Sequence, residues 1–135
     1  MADFSGTYYH QVDDKMRFRI PAVLREELGK SYVVTAGANN SLLVMTVQDA
    51  EKEFKVFDDI TIETAFMEPQ RQKRYRQLKG NSTTLTEDGQ GRTILPQNLV
   101  KHANIKKDIV IVGVGKFIEV WSLENHNKYW DIQDE

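Results

Sequence analysis

The sequence predicts a β-dominated α+β fold made from two tandem copies of one unit, with short flanking helices. Three observations predict it. The first is an internal repeat. With Asp13 laid on Asp88, Arg17 falls on Arg92, Ile20 on Leu95, Pro21 on Pro96, Leu24 on Leu99 and Gly29 on Asn104, all at an offset of 75. One inserted residue later, at 76, Val33 to Gly37 falls on Ile109 to Gly113, Val44 to Thr46 on Val120 to Ser122, and Phe54 on Trp130. The second is a set of short β-rich runs in each copy, "SYVVTAG" and "SLLVM" in one, "DIVIVGVG" and "FIEVW" in the other. The third is turn and helix punctuation at matching places. The copies span 1–57 and 81–135, joined by 58–80.

Each unit reads in the same order. A first strand ends near Val12, or near Leu85. A turn follows, and then a short strand, "RFRI" or "RTIL". Pro21 and Pro96 are placed to open helices at their first turn, where a fixed φ helps and an N–H is not needed. These helices are "PAVLREEL" and "PQNLVKHA". Gly29 and Asn104 stand where a C-cap needs a left-handed residue. The β-rich runs come next, linked by the hairpin-like "AGANN" and "GVGK". Thr46 and Ser122 are then N-caps of closing helices, "VQDAEKEFKVF" and "LENHNKYWDI", with Phe54 and Phe57, or Trp130, on a packing stripe. Between the units, "MEPQRQKRYRQLKG" reads as a helix from near Pro69 to Gly80. It is too basic on too many faces to be core. It is either a solvated connector or a face turned to phosphate or to another subunit.

Length and composition bound the rest. The chain's 135 residues suit one domain or two small halves sharing a core, and 40% are hydrophobic. No apolar run approaches the ~20 residues of a membrane span, and "MADFSGTYYHQ" is no signal peptide. There is no cysteine, which excludes disulfides, thiol catalysis and thiolate metal sites and fits a reducing cytoplasm. The net charge of −2 does not announce a nucleic-acid binder, but its distribution is uneven. Residues 31–70 hold two basic and seven acidic side chains, whereas 71–92 hold six basic and two acidic. Arg71, Lys73, Arg74 and Arg76 form a secondary basic patch in that stretch.

The two turns, "DDKMR" and "DGQGR", carry the chemistry. Asp13 and Asp88 are placed to accept backbone hydrogen bonds two residues on, and Gly89 and Gly91 permit positive φ. An arginine held at the exit of so tight a turn loses little entropy on meeting a planar acceptor such as phosphate or the edge of guanine. The plainer reading is that each aspartate simply pairs with an arginine, within or between halves.

With the motifs on the page, the chain resembles the MraZ family of bacterial transcriptional regulators of the division and cell wall gene cluster. "DDKMR" with "IP", and "DGQGR" with "LP", are similar to that family's paired D-x-K-G-R and D-x-x-G-R motifs. "EPQRQKRYRQ" and "FIEVW" extend the likeness over nearly the whole chain. The resemblance implies two AbrB-like swapped-hairpin units, related by a pseudo-twofold and interlaced into one barrel. It implies a ring-shaped homo-oligomer, octamer-like or larger, that binds short direct repeats in double-stranded promoter DNA. Localisation would then be cytoplasmic and nucleoid-associated. By position it points to Lys15, Arg17 and Arg92 as DNA contacts, with Asp13, Asp88 and Gly91 holding the turns. Met16 departs from the pattern, standing where the family has glycine. Charge adds Arg19: residues 15, 17 and 19 share one face if the segment is extended, so the first copy is expected to bind phosphate better.

Other chemistry finds no support in the residues. His10, His102 and His126 are scattered, so no metal site and no cofactor is expected. There is no G-x-S-x-G elbow. An aspartic-protease dyad fails because Asp13 is followed by Asp-Lys and Asp88 by Gly-Gln rather than by Thr/Ser-Gly. Tyr8, Tyr9, Phe18, Trp121 and Trp130 are expected in the core or at an interface, Phe18 most clearly because it faces opposite Arg17 and Arg19. The reading is a non-enzymatic, sequence-specific DNA-binding regulator. The alternative is a ring-forming scaffold whose Asp-Arg turns join subunits.

Overall fold

The computed structural model describes residues 2–55, 61–62 and 68–134. Phe57 and the boundary placed after it lie outside the described residues. The first unit runs β1 (Phe4–Gln11), β2 (Arg17–Phe18), α1 (Ala22–Leu28), β3 (Ser31–Ala36), β4 (Leu42–Thr46) and α2 (Val47–Lys55). The connector contributes α3 (Pro69–Gly80). The second unit runs β5 (Thr83–Thr86), β6 (Thr93–Ile94), α4 (Gln97–His102), β7 (Asp108–Gly115), β8 (Ile118–Ser122) and α5 (Leu123–Asp134).

Local signals act as the residue types demand. The Thr46 hydroxyl accepts the Asp49 N–H at 3.0 Å and the Ser122 hydroxyl accepts that of Asn125 at 3.1 Å, so both closing helices are capped. Gly29 (φ 89°) donates its N–H to Arg25, and Asn104 (φ 54°) ends the second unit's helix in the left-handed region. The prolines sit one residue earlier than expected. With ψ of 138° and 148°, Pro21 and Pro96 are caps rather than first helical residues. The Pro21 carbonyl accepts from Leu24 and Arg25, and that of Pro96 from Leu99 and Val100. The fixed φ of proline suits a cap as well as a first turn.

The strands interleave the two units. The sheet order is β1-β7-β8-β4-β3-β5, antiparallel throughout, and β2 pairs β6 apart from it. The first strand of each unit thus pairs with the third strand of the other: β1 with β7 over eight residues, β5 with β3 over four. The expected closed barrel is not formed. β1 and β5 are edges of an open sheet. Each ends where a turn lifts the chain away, and the two-residue strands that follow pair only with each other.

The register corrects the repeat. Lys107 O accepts from Val12, and Lys30 O accepts from Glu87. Asp108 pairs Gln11, and Ser31 pairs Thr86. The equivalent offset in β3 and β7 is therefore 77, from Ser31 to Asp108, returning to 76 at the caps. A one-residue slip exchanges the two faces of a strand. Tyr32 and Val34, not Val33, match the inward Ile109 and Ile111. Two residues are inserted after Asn104, and the hairpin loop between β7 and β8 is one shorter.

One core is shared by both units. Phe18, Leu24, Tyr32, Val34 and Val44 meet Leu99, Ile109, Ile111, Ile118 and Val120 on the inner face. On the outer face, α2 covers Val33 and Met45 with Ala50. Among the described residues no helix is long and apolar enough to cross a membrane.

Candidate nucleic-acid interface

The two Asp-Arg turns repeat one another bond for bond. Asp13 Oδ1 accepts the N–H of Lys15 at 2.9 Å and of Arg17 at 2.9 Å, while Oδ2 accepts Arg17 Nε at 2.6 Å. Asp88 Oδ1 accepts the N–H of Gln90 at 2.8 Å and of Arg92 at 3.0 Å, while Oδ2 accepts Arg92 Nε at 3.1 Å. Backbone bonds close each loop: Asp13 N–H to Arg17 O and Met16 N–H to Asp13 O, then Asp88 N–H to Arg92 O and Gly91 N–H to Asp88 O. These donors favour the charged carboxylate, the Arg17 N–H first at Asp13 and the Arg92 N–H first at Asp88, so both are held below the usual range.

Pairing and outward display turn out to be compatible. Each aspartate grips the Nε edge of its own arginine, within its own half. The Nη edge makes no hydrogen bond among the described residues. A guanidinium fixed on one edge presents the other in a defined plane, which is what bidentate recognition of phosphate or guanine requires. The Arg17 and Arg92 side chains keep 27% and 25% of their exposure, enough to be reached from solvent.

Met16 takes the glycine conformation. Its φ of 59° matches the 76° of Gly91, so the first turn is not rearranged by the substitution. Different surroundings explain the different residues. Arg25 and Glu87 form a two-bond ion pair, Nη2 to Oε1 at 2.7 Å and Nε to Oε2 at 3.2 Å. A Cβ at Gly91 would lie 2.8 Å from Arg25 Nη2. At the equivalent positions around the first turn stand Val100 and Val12, both buried, in the core cluster against which Met16 packs. A side chain at one turn would press on the Arg25 guanidinium, and at the other it packs against the core. Gly89 does not adopt positive φ and faces open space, so the turn uses only Gly91 for that purpose.

The short β2–β6 ladder brings the turns together. Arg17 pairs Ile94, Phe18 pairs Thr93, and the Leu95 N–H donates to Met16 O at 3.0 Å. Phe18 is core at 2% exposure, as its alternation with Arg17 and Arg19 implied. A cleft of about 760 Å³ results, lined by Arg17, Arg19, Arg92, Lys106 and Lys107 against Asp13 and Asp14. Lys15 is exposed on the turn itself. It does not complete the row drawn from sequence, because positive φ at Met16 breaks the extended geometry between 15 and 17. The row survives for Arg17 and Arg19 only. Lys106 and Lys107 were missed. Their dibasic pair precedes β7 and was legible, but Lys106 belongs to the two-residue insertion, while Lys107 is the counterpart of Lys30. Of the basic patch, Arg71 pairs with Glu68 at 3.2 Å, Lys73, Arg74 and Arg76 are exposed, and none of the four lines this cleft.

Comparison with known proteins follows the same repeat. The MraZ family model, described as that of an antitoxin-like MraZ protein, matches residues 4–71 and 78–135. A protein named transcriptional regulator MraZ from Clostridium tetani is 37% identical over 128 residues, covering 95% of this chain and 87% of its own. One of that name from Moorella thermoacetica is 38% identical, covering 93% and 85%. Another, from Carboxydothermus hydrogenoformans, is 37% identical over 93% and 85%.

Proposed function

The chain belongs to the MraZ family, and from that membership we propose that it is a transcriptional regulator which binds double-stranded DNA through its paired Asp-Arg turns. Its relatives are named as regulators of transcription rather than as enzymes. The observation that supports the reading best is the bond-for-bond repetition of the two turns. In both, a backbone-held carboxylate fixes an arginine by one edge and leaves the other without a hydrogen bond among the described residues. Arg17 and Arg92 are assigned to bases or phosphates, Lys15 and Arg19 to phosphates, and Asp13, Asp88 and Gly91 to holding the turns. The exposed Lys73, Arg74 and Arg76 of α3 are assigned to interaction outside the arginine cleft.

The targets are short direct repeats in the chain's own promoter, in the division and cell wall gene cluster. The bound form is a ring-shaped homo-oligomer, and the interleaved strands are two swapped-hairpin units related by a pseudo-twofold. A ring answers an energetic problem. A good bidentate pair gives about 1–3 kcal/mol of discrimination, little for one subunit. Linked subunits on repeated sites gain affinity through effective concentration without new contacts. The place of action is the cytoplasm, at the nucleoid. Against the scaffold reading stands the closure of each Asp-Arg pair within its own turn, which leaves neither carboxylate seeking a partner subunit.

Arg17→Ala and Arg92→Ala test the proposal. Each should abolish binding to a repeat-containing fragment from upstream of the gene and leave the elution volume on a sizing column unchanged. Loss of the oligomer with either variant would transfer the arginines to the scaffold reading.

A further inference from the structure

The repeat places two equivalent clefts on the outer face of the sheet, and they differ in a directed way. In the first unit the cleft is lined by Val33, Ala50, Phe54, Lys55, Ser82 and Thr84. The α3 helix lies across that side: the Thr35 hydroxyl donates to Leu78 O at 2.6 Å, and Lys79 Nζ stands 4.6 Å from the Phe54 ring centroid. In the second unit the cleft, of about 670 Å³, is lined by Tyr9, Val114, Glu119, His126, Trp130 and Asp131 among others. Among the described residues nothing lies across it as α3 lies across its mate. Tyr9 is 66% exposed, Trp130 47% and Val114 44%.

Position by position, the second cleft is altered toward a cation. Trp130 stands at the place of Phe54, and indole is the better cation–π face. Asp131 stands at the place of Lys55 and Glu119 at that of Leu43, while neutral Asn127 stands at that of Glu51, so the net change is still toward negative charge. The first cleft, of about 400 Å³, is walled on one side by Lys79 from its own chain's basic helix. The second is larger, with no such helix at its wall among the described residues, and it is aromatic and acidic. The same helix carries Lys73, Arg74 and Arg76 exposed.

We propose that the Tyr9–Trp130–Asp131 cleft receives the basic face of α3 from a second copy of this chain. The donor face and the acceptor cleft are different patches, so the contact is heterologous, and repetition closes a ring if the rotation permits. The proposal rests on the ring-oligomer reading and names its contact surface. The ring needs no residue of the arginine cleft, which stays open to DNA.

The test uses the full chain and light scattering coupled to size exclusion. The native chain should run as a multimer. Trp130→Ala and Asp131→Lys, both on exposed residues, should each lower the mass to that of a single chain with unchanged circular dichroism. So should a donor variant with Lys73, Arg74 and Arg76 all changed to Glu. Mixed one to one, the Trp130→Ala and donor variants should recover a dimer, since one intact helix then meets one intact cleft. If the native chain is multimeric and Asp131→Lys and the donor variant keep its mass, this surface is wrong and the ring reading stands. A native chain that runs as a monomer overturns both.

Discussion

Gly91 and Met16 put one backbone conformation under two constraints. A non-glycine residue in the left-handed region costs roughly 1–2 kcal/mol. At Gly91 that strain would add to a Cβ pressed 2.8 Å from the Arg25 guanidinium, whose partner Glu87 is 8% exposed and cannot be left alone cheaply. Gly91→Ala should therefore lower stability by about 2 kcal/mol or more, read as a shift of the urea midpoint. Met16→Gly relieves strain but gives up the packing of a half-buried side chain and frees the unfolded chain, so the two effects nearly cancel. Stability should change by less than about 1 kcal/mol and DNA affinity should be kept. A loss of binding would mean that Met16 aims Arg17 by more than its φ. The Arg25–Glu87 pair itself was not legible in the sequence. Its members are 62 residues apart and meet only because β5 pairs with β3 of the other unit.

Elements were legible where a local rule fixes them. Thr46 and Ser122 cap because their hydroxyls compete for the free N–H groups of a first turn, and α3 starts at Pro69 and ends at Gly80 as its punctuation implied. The faces of β3 and β7 were not legible. "YVVT" and "IVI" are buried on both sides, so alternation vanishes and a one-residue slip leaves no trace in the pattern. The same limit hid the surroundings of His126 on α5. Its Nε2 accepts the Trp130 Nε1–H at 3.0 Å, which puts its proton on Nδ1, and Nδ1 is buried without a partner among the described residues. Burial holds this imidazole below its usual 6.5, with the Glu119 carboxylate pulling the other way. The unfolded chain then binds a proton that the folded chain refuses. Stability should be level above pH 6.5 and fall as the pH drops below it. Thermal melts across that range should show the fall, together with a change in tryptophan emission as Trp130 loses its acceptor. His126→Gln should flatten the profile. A native profile already flat from neutral pH to about 5 would remove the switch from α5.

At the scale of the whole molecule, the proposed DNA contact of a chain of net charge −2 depends on where its cations sit. The interleaved sheet and the β2–β6 ladder put Arg17 and Arg92 from opposite units into one cleft, and the insertion before β7 adds Lys106 beside Lys107, whose counterpart in the other unit is Lys30. The repeat was visible in the sequence. The convergence of its two turns was not, because it arises from pairing between units rather than within one. Under the proposed function the two turns take unequal shares. The first turn has Lys15 and Arg19 beside its arginine, whereas the second has neutral Gln90 and exposed Ile94 at the matching places. Removing one cation that neutralises a phosphate should reduce the slope of log K against log salt by about 0.9. On a fragment carrying a single repeat, Lys15→Gln with Arg19→Gln should lower the slope by about 1.8, and Gln90→Ala should leave it unchanged. Anisotropy titrations over a salt series measure both. Equal slopes for the native chain and the Lys15/Arg19 variant would show that neither Lys15 nor Arg19 neutralises a phosphate, and that the first turn has no electrostatic advantage over the second.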